Sequence, residues 1–125
     1  MIKLIFCIRR LPTLTFEQFS TYWRDTHAPL VREVAPLLNI SRYVQSRPQR
    51  LAQLDPVIAA RGVSADGYDG VAELWWRCMD DLLRAGASRD GRDAGRRLLN
   101  DERNFIDLER SSLFFTEEEV VISGS

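Results

Sequence analysis

Hydrophobic spacing divides the chain into alternating stretches and helical stripes. Over residues 2–9, Ile2, Leu4, Phe6 and Ile8 point one way while Lys3, Ile5, Cys7 and Arg9 point the other, the period of a strand. After a turn at Pro12, the residues Phe16, Phe19, Trp23, Leu30, Val34 and Leu37 recur three and four apart. That is one stripe of a long helix over residues 16–38, with Thr15 and Gln18 spaced as a capping box. Pro29 lies inside this helix and has no N–H for the carbonyl of Asp25, which predicts a kink beside His27. Asn39 ends the helix. A second strand follows over residues 40–47, with Ile40, Arg42 and Val44 on one face and Ser41, Tyr43 and Gln45 on the other.

Residues 48–66 form a long connection, in which Leu51, Leu54 and Ile58 point to a short helix interrupted by Pro56. In the third strand, residues 68–77, Val71, Glu73 and Trp75 alternate with Ala72, Leu74 and Trp76, so both faces are bulky and mostly apolar. Helical spacing resumes at Met79 and is weakened by Gly86, Gly91 and Gly95. A break near Ala87 is expected, with Ser88 capping a new helix that carries Leu98 and Leu99, then Phe105, Ile106 and Leu108. A last strand is expected over residues 113–122, with Glu117, Glu118 and Glu119 as an exposed stretch.

The order strand, helix, strand, strand, helix, strand is the ferredoxin-like βαββαβ arrangement. It makes residues 1–125 one α+β domain, an antiparallel sheet with helices on one face. Two helices cover one face only, yet the third strand is apolar on both. A second copy of the same sheet is the simplest cover, which predicts a homodimer packed sheet to sheet.

Composition narrows the function. The 125 residues carry a formal net charge of −1, which gives no reason to expect a nucleic acid or an anionic membrane as partner. The apolar run over residues 4–8 is too short for a signal-peptide core, and no stretch approaches the ~20 apolar residues of a membrane span. A cytoplasmic protein is expected. Cys7 and Cys78 share no motif and read as reduced thiols, and a single histidine makes a structural zinc site improbable. Gly86, Gly91 and Gly95 lack the strand and spacing of a phosphate loop, and no nucleophile elbow is present. No nucleotide, flavin or metal cofactor is indicated.

Candidate chemistry centres on His27, which falls on the apolar stripe where the pattern asks for leucine. One account makes it a general acid or base, its ordinary pKa near ~6.5 suiting proton transfer. The other makes it a buried histidine bonded to a carbonyl freed by Pro29. Glu73, on a strand apolar on both faces, needs a partner: His27, Arg9 or Arg42. If it meets His27, the two form an orienting pair. Glu102 lies on the stripe of its helix, as a ligand contact, as partner to an arginine such as Arg96 or Arg103, or in a capping role near the helix break. Tyr22, Trp23, Tyr43 and Trp75 can line a cavity for a flat apolar ligand or simply form core.

These residues resemble a known family. Tyr22-Trp23 with His27-Ala28-Pro29, then Tyr43, then residues 69–75 (Asp-Gly-Val-Ala-Glu-Leu-Trp), then Asp101-Glu102 with Phe105-Ile106-Asp107, look like the EthD domain family. Phe114-Phe115-Thr116-Glu117-Glu118 also fits. The resemblance implies a dimeric α+β barrel. It also implies a small-molecule enzyme of decarboxylase, dehydratase, isomerase or oxidoreductase type, or else an accessory protein of an ether-degradation pathway. In this family the histidine of the motif stands at position 27. Residues 48–66 match no motif, so substrate identity does not carry over.

Overall fold

The computed structural model describes residues 1–64 and 67–124. The strands are β1 (Ile2–Ile8), β2 (Arg42–Ser46), β3 (Gly70–Trp76) and β4 (Ser112–Glu117). They form one antiparallel sheet in the order β2-β3-β1-β4. Its register pairs Phe6 with Ala72, Leu4 with Leu74 and Tyr43 with Leu74. Opposed residues share a face, so these point together towards the helices. The expected ferredoxin-like α+β fold is therefore observed.

The long helix forms in joined pieces: α1 (Phe16–Tyr22), a π-helical turn (Trp23–His27), α2 (Ala28–Val34) and a 3₁₀ turn (Ala35–Leu38). Thr15 Oγ1 accepts from the Gln18 N–H while the Gln18 side chain accepts from the Thr15 N–H, the anticipated capping box. Asn39 closes the run at φ 57°, a left-handed position that asparagine tolerates. The connection over residues 48–66 is described to residue 64. It holds α3 (Asp55–Ala59), where Pro56 sits in the first turn and so starts the helix rather than interrupting it. Residues 65 and 66 lie outside the described residues.

The second helical region is α4 (Met79–Ala87) and α5 (Arg89–Glu102), parted at Ser88. Ser88 Oγ accepts from the Gly91 N–H at 2.9 Å and caps α5 as expected. Helix α5 stops at Glu102, short of Phe105 and Ile106. Those two are still core, buried by a turn that pairs with the chain after β1: Leu11 N–H donates to the Phe105 carbonyl and Asp107 N–H to that of Arg9. Strand β4 ends at Glu117, not at residue 122, because its only partner β1 begins opposite, at Ile2. Beyond it Val120, Val121 and Ile122 are exposed.

Helices and sheet enclose two apolar clusters. Phe6, Ile8, Phe19, Trp23, Ala72, Phe105 and Ile106 form one; Val31, Val34, Ala94 and Leu98 form the other. Gly70 lets the first close: a Cβ there would lie 2.5 Å from the Trp23 ring. The opposite sheet face is not bare. Trp75 lies between the Lys3 amine and the Arg42 guanidinium, each 4.8 Å from a ring centroid, and its indole N–H donates to Glu118. Phe114, on the same face as Ile5, is half exposed.

Candidate functional site

Between the two clusters lies a cavity of about 230 Å³. Its walls are mostly apolar and come from every layer: Phe6 and Leu74 from the sheet, Trp23 and Val31 from the long helix, Leu98 from α5. Polar-tipped or ionisable side chains also reach it, among them His27, Tyr43, Trp76 and Glu102.

The local backbone aims His27. Pro29 offers no N–H to Asp25, and the helix relaxes by one residue: the Ala28 N–H donates to the Trp23 carbonyl, a π-type bond. The Gln45 side chain also donates to that carbonyl at 2.9 Å. The kink expected beside His27 thus takes the form of a π turn ending on it. The imidazole is buried, with the Phe105 ring centroid 5.0 Å away.

His27 is held by Asp101 of α5, Nδ1 to Oδ2 at 2.7 Å. The other Asp101 oxygen accepts from the Tyr22 hydroxyl at 2.6 Å, and the Asn104 amide donates to the Tyr22 oxygen at 3.2 Å. Burial alone would raise the Asp101 carboxyl, but the hydrogen bonds from Tyr22 and His27 outweigh it and hold it below its ordinary value. A carboxylate can only accept, so Nδ1 carries the imidazole proton. Burial lowers the pKa of His27, and the opposing attraction of Asp101 does not restore it. The neutral ring therefore leaves Nε2 as a lone pair with no hydrogen-bond partner among the described residues, and the residue lines the cavity.

Glu102 is the next residue of α5. Its carboxyl makes no hydrogen bond or ion pair among the described residues, neither to Arg96 nor to Arg103. Desolvation, with a smaller push from Asp101, raises its pKa from 4.5 to about 7. The buried Tyr43 hydroxyl is also pushed up, chiefly by burial, and accepts from Gln45 at 2.9 Å.

Two anticipated residues lie elsewhere. Glu73 does not meet His27, Arg9 or Arg42. The pleat turns it to the face away from the helices, where it pairs with Lys3. Trp75 shares that face, and it is Trp76 that lines the cavity, its indole N–H donating to the Leu38 carbonyl at 2.7 Å. Alternation gave Trp76 the parity of Ala72 and Leu74, which was the available signal. Tyr22 acts on Asp101 rather than on the cavity wall. The role of Asp101 could not be read from spacing, because it depends on a contact 74 residues away in sequence.

The chain is a ferredoxin-like α+β domain in which a carboxylate-oriented histidine borders a mostly apolar cavity. More narrowly, the EthD domain profile matches residues 11–109, and the chain belongs to that family. It is similar in fold to an EthD family protein from Bacillus halodurans, with TM-score 0.63 and 19% identity, covering 95% of this chain and 99% of that one. An EthD-like protein from Ralstonia eutropha matches with TM-score 0.59 and 18% identity over 99% and 95%. A dimeric protein of ferredoxin-like fold and unknown function from Bacteroides fragilis matches with TM-score 0.57 and 8% identity over 94% and 95%. No functionally curated protein matches this chain.

Proposed function

We propose that the chain is an enzyme that moves a proton on a small, largely apolar compound held in the cavity, with His27 as the base and Asp101 and Tyr22 as its positioning residues. The observation that carries this reading is the unpartnered Nε2 of a neutral, carboxylate-oriented imidazole on an apolar cavity wall. A histidine serving only to satisfy the core would have both nitrogens bonded. Trp23, Tyr43 and Trp76 shape the space, and Glu102 adds a second titratable group to it. Glu73 and Trp75 have no part in this reading.

The test is turnover of a panel of small neutral aromatic and alicyclic compounds by wild type, His27→Ala and Asp101→Asn. Loss of turnover in His27→Ala at near-native melting temperature supports the base; unchanged turnover refutes it. Binding of the panel without conversion would favour an accessory, ligand-holding protein.

We further propose a homodimer through the open sheet face. Half-exposed Phe114 beside Ile5, with Val44 and Val71, supports it, as does similarity to the dimeric Bacteroides fragilis protein. A monomeric mass in light scattering at micromolar concentration would count against it. Among the described residues no helix is long and apolar enough to cross a membrane. Two free thiols, Cys7 and Cys78, accord with the reducing cytoplasm.

A further inference from the structure

The His27 base reading leaves the substrate unnamed, and the rest of the cavity wall narrows it. Among the described residues no lysine or arginine reaches the cavity, so nothing there would neutralise an anionic ligand. The one carboxyl on the wall, Glu102, has no internal partner to hold it. It follows Asp101, whose side chain grips His27, so one turn of α5 supplies both the hold on His27 and a carboxyl on the same cavity wall.

Resting on that reading, we propose that the substrate class is a neutral carbonyl compound bearing an α-hydrogen, with Glu102 donating its proton to the carbonyl oxygen while His27 Nε2 takes the α-proton. The C–H electron pair becomes the new carbon–carbon double bond. The carbonyl π pair moves to oxygen, which takes the Glu102 proton, and an enol forms opposite an imidazolium and a carboxylate. Return of the imidazolium proton to carbon, at the original or a conjugated position, and of the enol proton to Glu102 restores both groups. The sequence is redox-neutral and needs no co-reactant. Each group starts in the required form at neutral pH: burial keeps the imidazole neutral and much of the Glu102 population protonated.

Volume sets the size. An apolar cavity of roughly 150 Å³ holds benzene. The ~230 Å³ here would by the same packing hold about nine non-hydrogen atoms. Acetophenone has that size and an exchangeable methyl group, and benzoate is its anionic counterpart of equal heavy-atom count.

The experiment follows deuterium incorporation into the acetophenone methyl group in D2O by proton NMR, alongside equilibrium binding of acetophenone and benzoate. Wild type should accelerate exchange over buffer, and bind benzoate at least about tenfold more weakly than acetophenone at pH 8. Glu102→Gln, near-isosteric, should keep acetophenone binding, lose exchange by about 100-fold, and narrow the preference against benzoate. Glu102→Ala should behave alike in exchange. Exchange lost in His27→Ala but unchanged in both Glu102 variants overturns the role of Glu102 and leaves the His27 base standing. Acetophenone bound without exchange, or benzoate bound as tightly, overturns the carbonyl class. Exchange that survives His27→Ala removes the base itself, and absence of acetophenone binding at millimolar concentration overturns the inference outright.

Discussion

The unpartnered Glu102 carboxyl should make the stability of this protein depend on pH in a direction opposite to the usual carboxylate. Most acidic groups are lowered on folding and stabilise the native state above their pKa. Glu102 is raised from 4.5 to about 7 by burial and by Asp101. The folded state thus holds its proton where the unfolded chain has released it. Its favourable contribution is complete below pH ~4.5 and is lost as pH rises through about 7. At ~1.4 kcal/mol per pH unit, the full displacement is worth roughly 3 kcal/mol, and most of this falls between pH 5 and pH 8. Glu102→Gln cannot ionise, so its stability should lack this fall. Relative to wild type it should gain about 2–3 kcal/mol on going from pH 5 to pH 8, whatever the fixed offset of an amide in the cavity. The titratable groups around Glu102, Asp101 of α5, Tyr43 of β2 and His27 on the same cavity wall, are present in both proteins, so their own titrations largely cancel in the difference. Urea denaturation at fixed protein concentration measures it. With m near ~1.5 kcal/mol/M the midpoint separation should widen by roughly 1–2 M between the two pH values. A separation that does not change with pH, or that moves the other way, would refute a raised carboxyl at this position.

Other consequences are as direct. The His27 ring should titrate below 6.5 in an NMR pH series, and Asp101→Asn should push it lower still, since burial lowers the imidazole and Asp101 opposes that effect. Gly95 lines the cavity and a Cβ there meets nothing within 4 Å. Gly95→Ala should therefore stabilise α5 by about 0.5–1 kcal/mol in thermal melts, whereas Gly95→Leu should abolish ligand binding while the fold persists. Gly70→Ala should lower stability by about 1–3 kcal/mol, because its methyl would lie 2.5 Å from the Trp23 ring.

The architecture was legible because the periods were clear. Phe16, Phe19 and Trp23 set one helix, Ser88 separated two others, and alternation placed Tyr43 and Gln45 together. Boundaries failed where pairing rather than propensity decides them. Residues 118–122 look like strand, but Ile2 is the last residue of β1 available to pair. Glu73 was misplaced for a related reason. When a strand is apolar on both faces, parity alone cannot say which face the helices cover, and only the register with Phe6 resolves it. The link from His27 to Asp101 joins distant segments and needs the folded chain.

The unpartnered carboxyl bears on more than stability. A leucine at position 102 would fit the apolar wall and spare the penalty above neutral pH. An arginine partner would have quenched the charge, and Arg103 is the adjacent residue, yet it donates to Asn100 instead. By contrast the neighbouring Asp101 is fully engaged, by Tyr22 on one oxygen and His27 on the other. Two consecutive acids of one helix are thus given opposite environments. One is held ionised and fixes a tautomer; the other is raised to about 7 and left unbonded on the cavity wall that His27 also lines. Core packing requires neither arrangement. Environments that push neighbouring titratable groups apart are how an acid and a base come to coexist near neutral pH. Here the separation has two sources: desolvation and the Asp101 charge push Glu102 up, while the hydrogen bonds from Tyr22 and His27 hold Asp101 down.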